Sequence, residues 1–118
     1  MRKVFIDCCF SSSLMKVLFI CNQNQHRSKT AEELFRNRFE TKSVGLFNSK
    51  PVTAKQLSWA DVVMVMEEEQ RQELSKRFPQ LYLQKRVLNL DIPDRYQYND
   101  DSLIRSLKSR MKQYSDLF

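Results

Sequence analysis

Three short apolar runs, Lys16–Ile20, Asp61–Met66 and Arg86–Leu90, most restrict what this chain can fold into. Each reads as a strong strand: the first is expected to be buried on both faces in a parallel sheet, and the second to be buried as well. The stretches between and after them have helical spacing. From Ser28 onward Ala31, Leu34, Phe35 and Phe39 recur on one face, and Glu32 and Glu33 are expected in the first turn, where the helix dipole favours anions. Glu67 to Gln70 opens another helix, carrying Leu74 and Phe78 and stopped by Pro79. A final helix is expected from about Asp101 to Tyr114, with Leu103, Leu107 and Met111 inward. Lys42–Gly45 reads as a short strand ending at the only glycine, Asn48–Pro51 as a loop and Thr53–Trp59 as a brief helix. Strands alternating with helices imply right-handed crossovers, hence an α/β fold: a small parallel sheet of about four strands with helices on both faces.

A chain of 118 residues suits one domain, expected over residues 15–118 because Met15-Lys16 immediately precedes the first strand. Residues 1–14 read as an N-terminal extension, non-native or disordered, with no part in the fold. Arg2 and Lys3 precede Val4-Phe5-Ile6, but Asp7 interrupts the run and no small-residue cleavage site follows, so a signal peptide is not expected. No apolar run approaches the roughly 20 residues of a membrane-spanning helix. Cys8, Cys9 and Cys21 form neither a zinc-site spacing nor a disulfide framework, which points to a reducing cytoplasm and to no metal or other cofactor. The net charge of +6 favours anionic partners, yet the basic residues are interleaved with acidic ones. A phosphorylated protein or small phosphoester therefore fits better than nucleic acid.

Chemistry concentrates where the first strand stops. Cys21-Asn-Gln-Asn-Gln-His-Arg-Ser28 places five residues between a cysteine and an arginine, directly before a helix. Main-chain N–H groups of Asn22, Gln23, Asn24, Gln25, His26 and Arg27 curled about an anion, together with a helix N-terminus, would hold a phosphate dianion. Arg27 can grip two phosphate oxygens with its planar fork. The same positive potential favours a Cys21 thiolate, which can attack phosphorus to give a cysteinyl-phosphate. Ser28 can donate to that sulfur and help it leave. Asn24 tolerates the left-handed backbone that such a loop requires. A second polar loop, residues 91–100, also starts at the carboxyl end of a strand, so both loops can meet on the ligand-binding edge of the sheet.

Cys21, Asn24 and Arg27-Ser28 resemble the loop of the low-molecular-weight protein tyrosine phosphatases, a family with Cys, two residues, Asn, two residues, Arg-Ser. Thr30-Ala-Glu-Glu-Leu-Phe is similar to the first helix of that family, Ser43-Val-Gly to its Ser-Ala-Gly strand end, and Ala60-Asp-Val-Val-Met-Val-Met-Glu to its Ala-Asp-Leu-Val-Leu-Val-Met-Asp stretch. The resemblance implies Cys21 as nucleophile, Arg27 as transition-state clamp, Ser28 as thiolate support, and Asn24 and Ser43 as the network fixing the loop. It also implies a general acid in a late Asp-Pro-Tyr-Tyr loop. Asp94-Arg-Tyr-Gln-Tyr aligns best, with Tyr96 in place of a substrate-flanking aromatic; Asp91 is the alternative, and Asp100 and Asp101 read as helix caps.

Gln23, His26 and Lys29 depart from the family pattern, and the region that supplies an aromatic wall is reduced to Leu46, Phe47 and Asn48. His26, the sole histidine, could act as a cation at the thiolate or simply point outward. The expected function is a cysteine-dependent phosphomonoesterase, tyrosine-phosphatase-like, with a phosphate-binding module of little catalysis as the alternative. Arsenate reduction is less favoured, because it needs further cysteines and none follows Cys21.

Overall fold

The computed structural model describes residues 14–114. One of its two interior strands is β1 (Lys16–Cys21), fully buried from Val17 to Ile20. A parallel partner lies on each side: β2 (Glu40–Gly45), with Cys21 opposite Gly45, and β3 (Val62–Val65), with Ile20 opposite Val65. β4 (Arg86–Asn89) pairs with β3 and completes a four-stranded parallel sheet in the order β2-β1-β3-β4. The expected α/β architecture is the one observed. Residues 1–13 of the expected N-terminal extension lie outside the described residues.

Because side chains alternate along a strand, β1 and β3 supply two cores at once. Val17, Phe19, Cys21, Val62 and Met64 face α1 (Arg27–Leu34) and α5 (Asp101–Lys112), meeting Ala31, Phe35, Leu103, Leu107 and Met111. Leu18, Ile20, Val63 and Val65 face the other way, toward α2 (Ala54–Trp59), α3 (Glu68–Arg77) and α4 (Pro79–Gln84), where Leu57, Leu74, Phe78 and Leu81 cover them.

Local chemistry sets the helix starts. A Thr53–Gln56 capping box opens α2, a Glu67–Gln70 capping box opens α3, and the Asp100 side chain accepts the Ser102 N–H at the start of α5. Two expectations are corrected here. Pro79 ends α3 but also begins α4, since a residue without an N–H costs nothing at a first helical position. Helix α1 starts at Arg27 and ends at Leu34, which moves Glu32 and Glu33 out of the first turn. Both bind elsewhere: Glu32 accepts the Ser43 hydroxyl at 2.6 Å and Glu33 accepts the Tyr98 hydroxyl. Phe35 and Phe39 remain buried although Phe39 follows the helix.

Leu107 is fully buried where α5 meets the sheet. Leu107→Ala is expected to cost about 2–5 kcal/mol through lost burial and the residual cavity. Urea unfolding checks this; a midpoint equal to the parent's would mean that α5 does not seal this core.

Candidate active site

Cys21 ends β1 and is 3% exposed, so its sulfur sits at the floor of the loop that follows. The loop folds back over it. The Asn24 N–H donates to Cys21 Sγ at 3.2 Å, and Ser28 Oγ lies 3.0 Å from the same sulfur. Asn24 achieves this with φ of 57°, a left-handed conformation that asparagine tolerates better than most residues. Its Oδ1 accepts the Ser28 hydroxyl at 2.6 Å, and its Nδ2 reaches the Ser43 carbonyl at 3.4 Å. The Ser43 contact is thus made by main chain, while the Ser43 hydroxyl donates to Glu32.

Gly45 backs the loop from β2. An added Cβ there would come within 2.9 Å of the Asn22 carbonyl oxygen and 2.7 Å of Asn48 Nδ2. That carbonyl accepts the N–H groups of Leu46 and Phe47, and Asn48 Nδ2 donates to the Gln23 carbonyl. The only glycine in the chain therefore stands where β2 and the loop approach too closely for a side chain.

Arg27 is 2% exposed. Its Nη1 donates to Glu67 Oε1 at 2.9 Å and to the Ile92 carbonyl at 2.8 Å. Its Nη2 lies 3.8 Å from Asp94 Oδ1. Cys21, Asn22, Gln23, Gln25, His26, Arg27 and Asp94 line one cleft of about 200 Å³. Gln23, Gln25 and Asp94 are its exposed members. Asp91 stands away from this cleft: it adopts φ of 59° and approaches Arg110 at 3.9 Å.

The loop that carries Asp94 is tied to α1 at several points. Arg27 holds the Ile92 carbonyl, Thr30 Oγ1 accepts the Asn99 N–H at 2.8 Å, and Tyr98 donates to Glu33. The Glu33 hydrogen bond raises the Tyr98 phenol above its ordinary range, because the carboxylate holds the phenolic proton. Tyr96 packs against the core beside α5, and its hydroxyl lies 3.3 Å from Ser106 Oγ. That hydrogen bond, followed by one from Arg95, lowers the Tyr96 phenol. Tyr96 is not part of the Cys21 cleft. Phe47 lines a neighbouring cleft, with Arg77 stacked 5.1 Å from its ring centroid. His26 lines the Cys21 cleft, and its buried Nδ1 has no hydrogen-bond partner.

Two members of the site are not evident from the sequence, Glu67 and Gln70. Gln70 is 1% exposed, and its Nε2 donates to Asn22 Oδ1 at 3.0 Å. Only their capping-box spacing is readable in the chain, and that signals a helix start rather than a contact with a loop 48 residues away. Among the described residues no group of three or more His, Cys, Asp or Glu side chains could hold a metal ion, and no helix is long and apolar enough to cross a membrane.

The parallel β2-β1-β3-β4 sheet with its covering helices has the fold of the low-molecular-weight tyrosine phosphatases. The tyrosine phosphatase Wzb from Escherichia coli K30, solved with phosphate, matches with a TM-score of 0.70 and 19% identity over 89% of this chain and 99% of that one. A low molecular weight protein tyrosine phosphatase from T. tengcongensis gives 0.69 and 19% over 87% and 97% of the two chains. The YwlE arginine phosphatase from Geobacillus stearothermophilus gives 0.60 and 18% over 87% of each. No family model and no curated protein matches the sequence, so the likeness lies in the fold.

The loop network predicts a separable pair of effects. Asn24→Gly keeps the left-handed backbone but loses two side-chain hydrogen bonds, and is expected to cost about 1–2 kcal/mol. Asn24→Ala adds the strain of a Cβ at positive φ, about 1 kcal/mol more. Equal urea midpoints for the two variants would show that backbone strain is not what asparagine relieves here.

Proposed function

We propose that the protein is a cysteine-dependent phosphomonoesterase acting through a cysteinyl-phosphate intermediate, on a phosphorylated protein or a small phosphoester. The observation that carries this reading is the convergence on Cys21 Sγ of the Asn24 N–H and the Ser28 hydroxyl beside a buried arginine in the same cleft. The Asn24 N–H already donates to the sulfur, and the Ser28 hydroxyl lies within reach to join it when a thiolate forms as nucleophile or leaving group. The phosphatases that share the fold support the same chemistry.

Ser28 has one proton to share. With Cys21 as a thiol, S–H donates to Ser28 Oγ while Ser28 donates to Asn24. With a thiolate, Ser28 turns its proton to sulfur, and Asn24 Oδ1 gives it up. The proton thus follows the charge on sulfur, stabilising the thiolate before attack and again when phosphorus leaves it.

In the first step the thiolate attacks phosphorus, the P–O ester bond breaks, and Asp94 gives its proton to the departing oxygen. In the second, Asp94 takes a proton from water, the resulting oxygen attacks phosphorus, and the P–S bond breaks to return the thiolate. Arg27 balances the charge spread over the phosphoryl oxygens throughout. The proximity of Asp94 to Arg27, against the outward position of Asp91, favours Asp94 as the acid.

Hydrolysis of p-nitrophenyl phosphate without added metal tests the proposal. Cys21→Ser is expected to lower turnover by at least about 10³-fold, and undiminished turnover in that variant would sink the mechanism. Asp94→Asn is expected to lower kcat by about 10²–10⁴-fold on a poor leaving group and by less on p-nitrophenol. If Asp91→Asn shows that pattern instead, the acid assignment is reversed.

A further inference from the structure

Gln70 is a buried amide whose orientation the main chain fixes. Its Oε1 accepts the N–H groups of Met66 at 2.7 Å and Glu67 at 3.0 Å. Its Nε2 must then face the other way, donating to Asn22 Oδ1 at 3.0 Å and to Glu67 Oε1 at 3.4 Å. Only an oxygen can accept there, so Asn22 is oriented too, and its Nδ2 forms the free end. Among the described residues no side chain or carbonyl accepts from that nitrogen, and it is not among the buried unpartnered atoms. Asn22 follows the nucleophile directly and stands between two clefts: the one holding Cys21, Arg27 and Asp94, and a second of about 200 Å³ lined by Phe47, Glu67 and Gln72 among others.

We propose that Asn22 is a substrate-contacting specificity residue whose Nδ2, aimed by Gln70, donates a hydrogen bond to an oxygen atom of the group esterified to phosphate. The inference rests on the phosphomonoesterase reading. Loop N–H groups and Arg27 serve the phosphoryl oxygens, so a side-chain donor on the border of the second cleft meets atoms beyond the bridging oxygen. Among the described residues no aromatic ring other than the His26 imidazole lines the phosphate cleft, and Phe47, the ring on the second cleft, has the Arg77 guanidinium stacked over it. A hydroxyl or carbonyl oxygen near the ester satisfies Asn22, whereas an unsubstituted aryl ring leaves its donor facing carbon. The substrate class is therefore a phosphoester of an oxygen-bearing alcohol, either a sugar or a seryl peptide, in preference to a bare aryl phosphate. Gln70 is a positioning residue in this scheme.

The test compares kcat/KM of the full chain and two variants on phenyl phosphate, glucose 6-phosphate and a short phosphoserine peptide. Intrinsic leaving-group reactivity cancels, because each substrate is compared with itself across variants. Asn22→Leu is expected to lower kcat/KM on an oxygen-bearing substrate by about three- to tenfold relative to its effect on phenyl phosphate. The substrate that responds identifies sugar or peptide as the source of the oxygen. Gln70→Glu keeps an acceptor for the Met66 and Glu67 N–H groups but draws Asn22 Nδ2 toward the new carboxylate, turning Oδ1 to the cleft. The same relative shift is expected, beyond any loss common to all three substrates. If Gln70→Glu does not fold, Asn22→Leu at its half-buried position decides alone. Turnover in which Asn22→Leu alters all three substrates by one factor overturns the role of Asn22 and leaves the enzyme reading standing. Turnover of phenyl phosphate alone overturns the substrate class. Absence of Cys21-dependent turnover on every substrate overturns both readings.

Discussion

Arg27 carries a full positive charge at 2% exposure, and a buried guanidinium cannot stand without partners. Its partners are the carboxylate of Glu67, just past the end of β3, and the carbonyl of Ile92, just past β4. One side chain thereby ties the carboxyl ends of two strands to the loop that leaves a third. Glu67 is held in turn by Gln70, and Gln70 also reaches Asn22 beside Cys21. Withdrawal of Arg27 would leave a carboxylate and a carbonyl facing a polar void, so the loop, the start of α3 and the segment that carries Asp94 depend on the same cation.

Around that anchor, small residues and local strain do what larger side chains could not. Gly45 lets β2 approach the Asn22 carbonyl, and Asn24 accepts a left-handed backbone so that its own N–H points at sulfur. The two are complementary: close approach fixes the outer side of the loop, and the turned amide fixes its inner side.

Much of this was legible in the sequence. β1 and β3 were readable because a strand buried on both faces has an unbroken apolar signature, and the junction of strand, polar octet and helix was readable because its residues are contiguous. What was not legible has a common cause, contacts between residues far apart in the chain. Gln70 looks like half of a capping box until Asn22 is seen opposite it. Asp91 and Asp94 are nearly equivalent as letters; the positive φ of Asp91 and its contact with Arg110 turn it away, while Asp94 faces Arg27. Tyr96 looks like a rim aromatic in sequence, yet its ring packs beside α5. Helix α4 was hidden by a local ambiguity, since proline stops one helix and starts another with equal ease.

The position of β1 has a consequence for motion. Cys21 ends an interior strand, paired with Gly45 of β2 and 3% exposed, a location whose amides are expected to exchange only with global opening. Asp94 is exposed, on a segment held by hydrogen bonds to α1 and by the Ile92 N–H donating to the Met66 carbonyl, and is expected to open at a lower free energy than the sheet. Cys21 and Asp94 therefore sit on different rungs of the unfolding ladder: the floor of their shared cleft belongs to the sheet, and its exposed aspartate to a segment with fewer anchors.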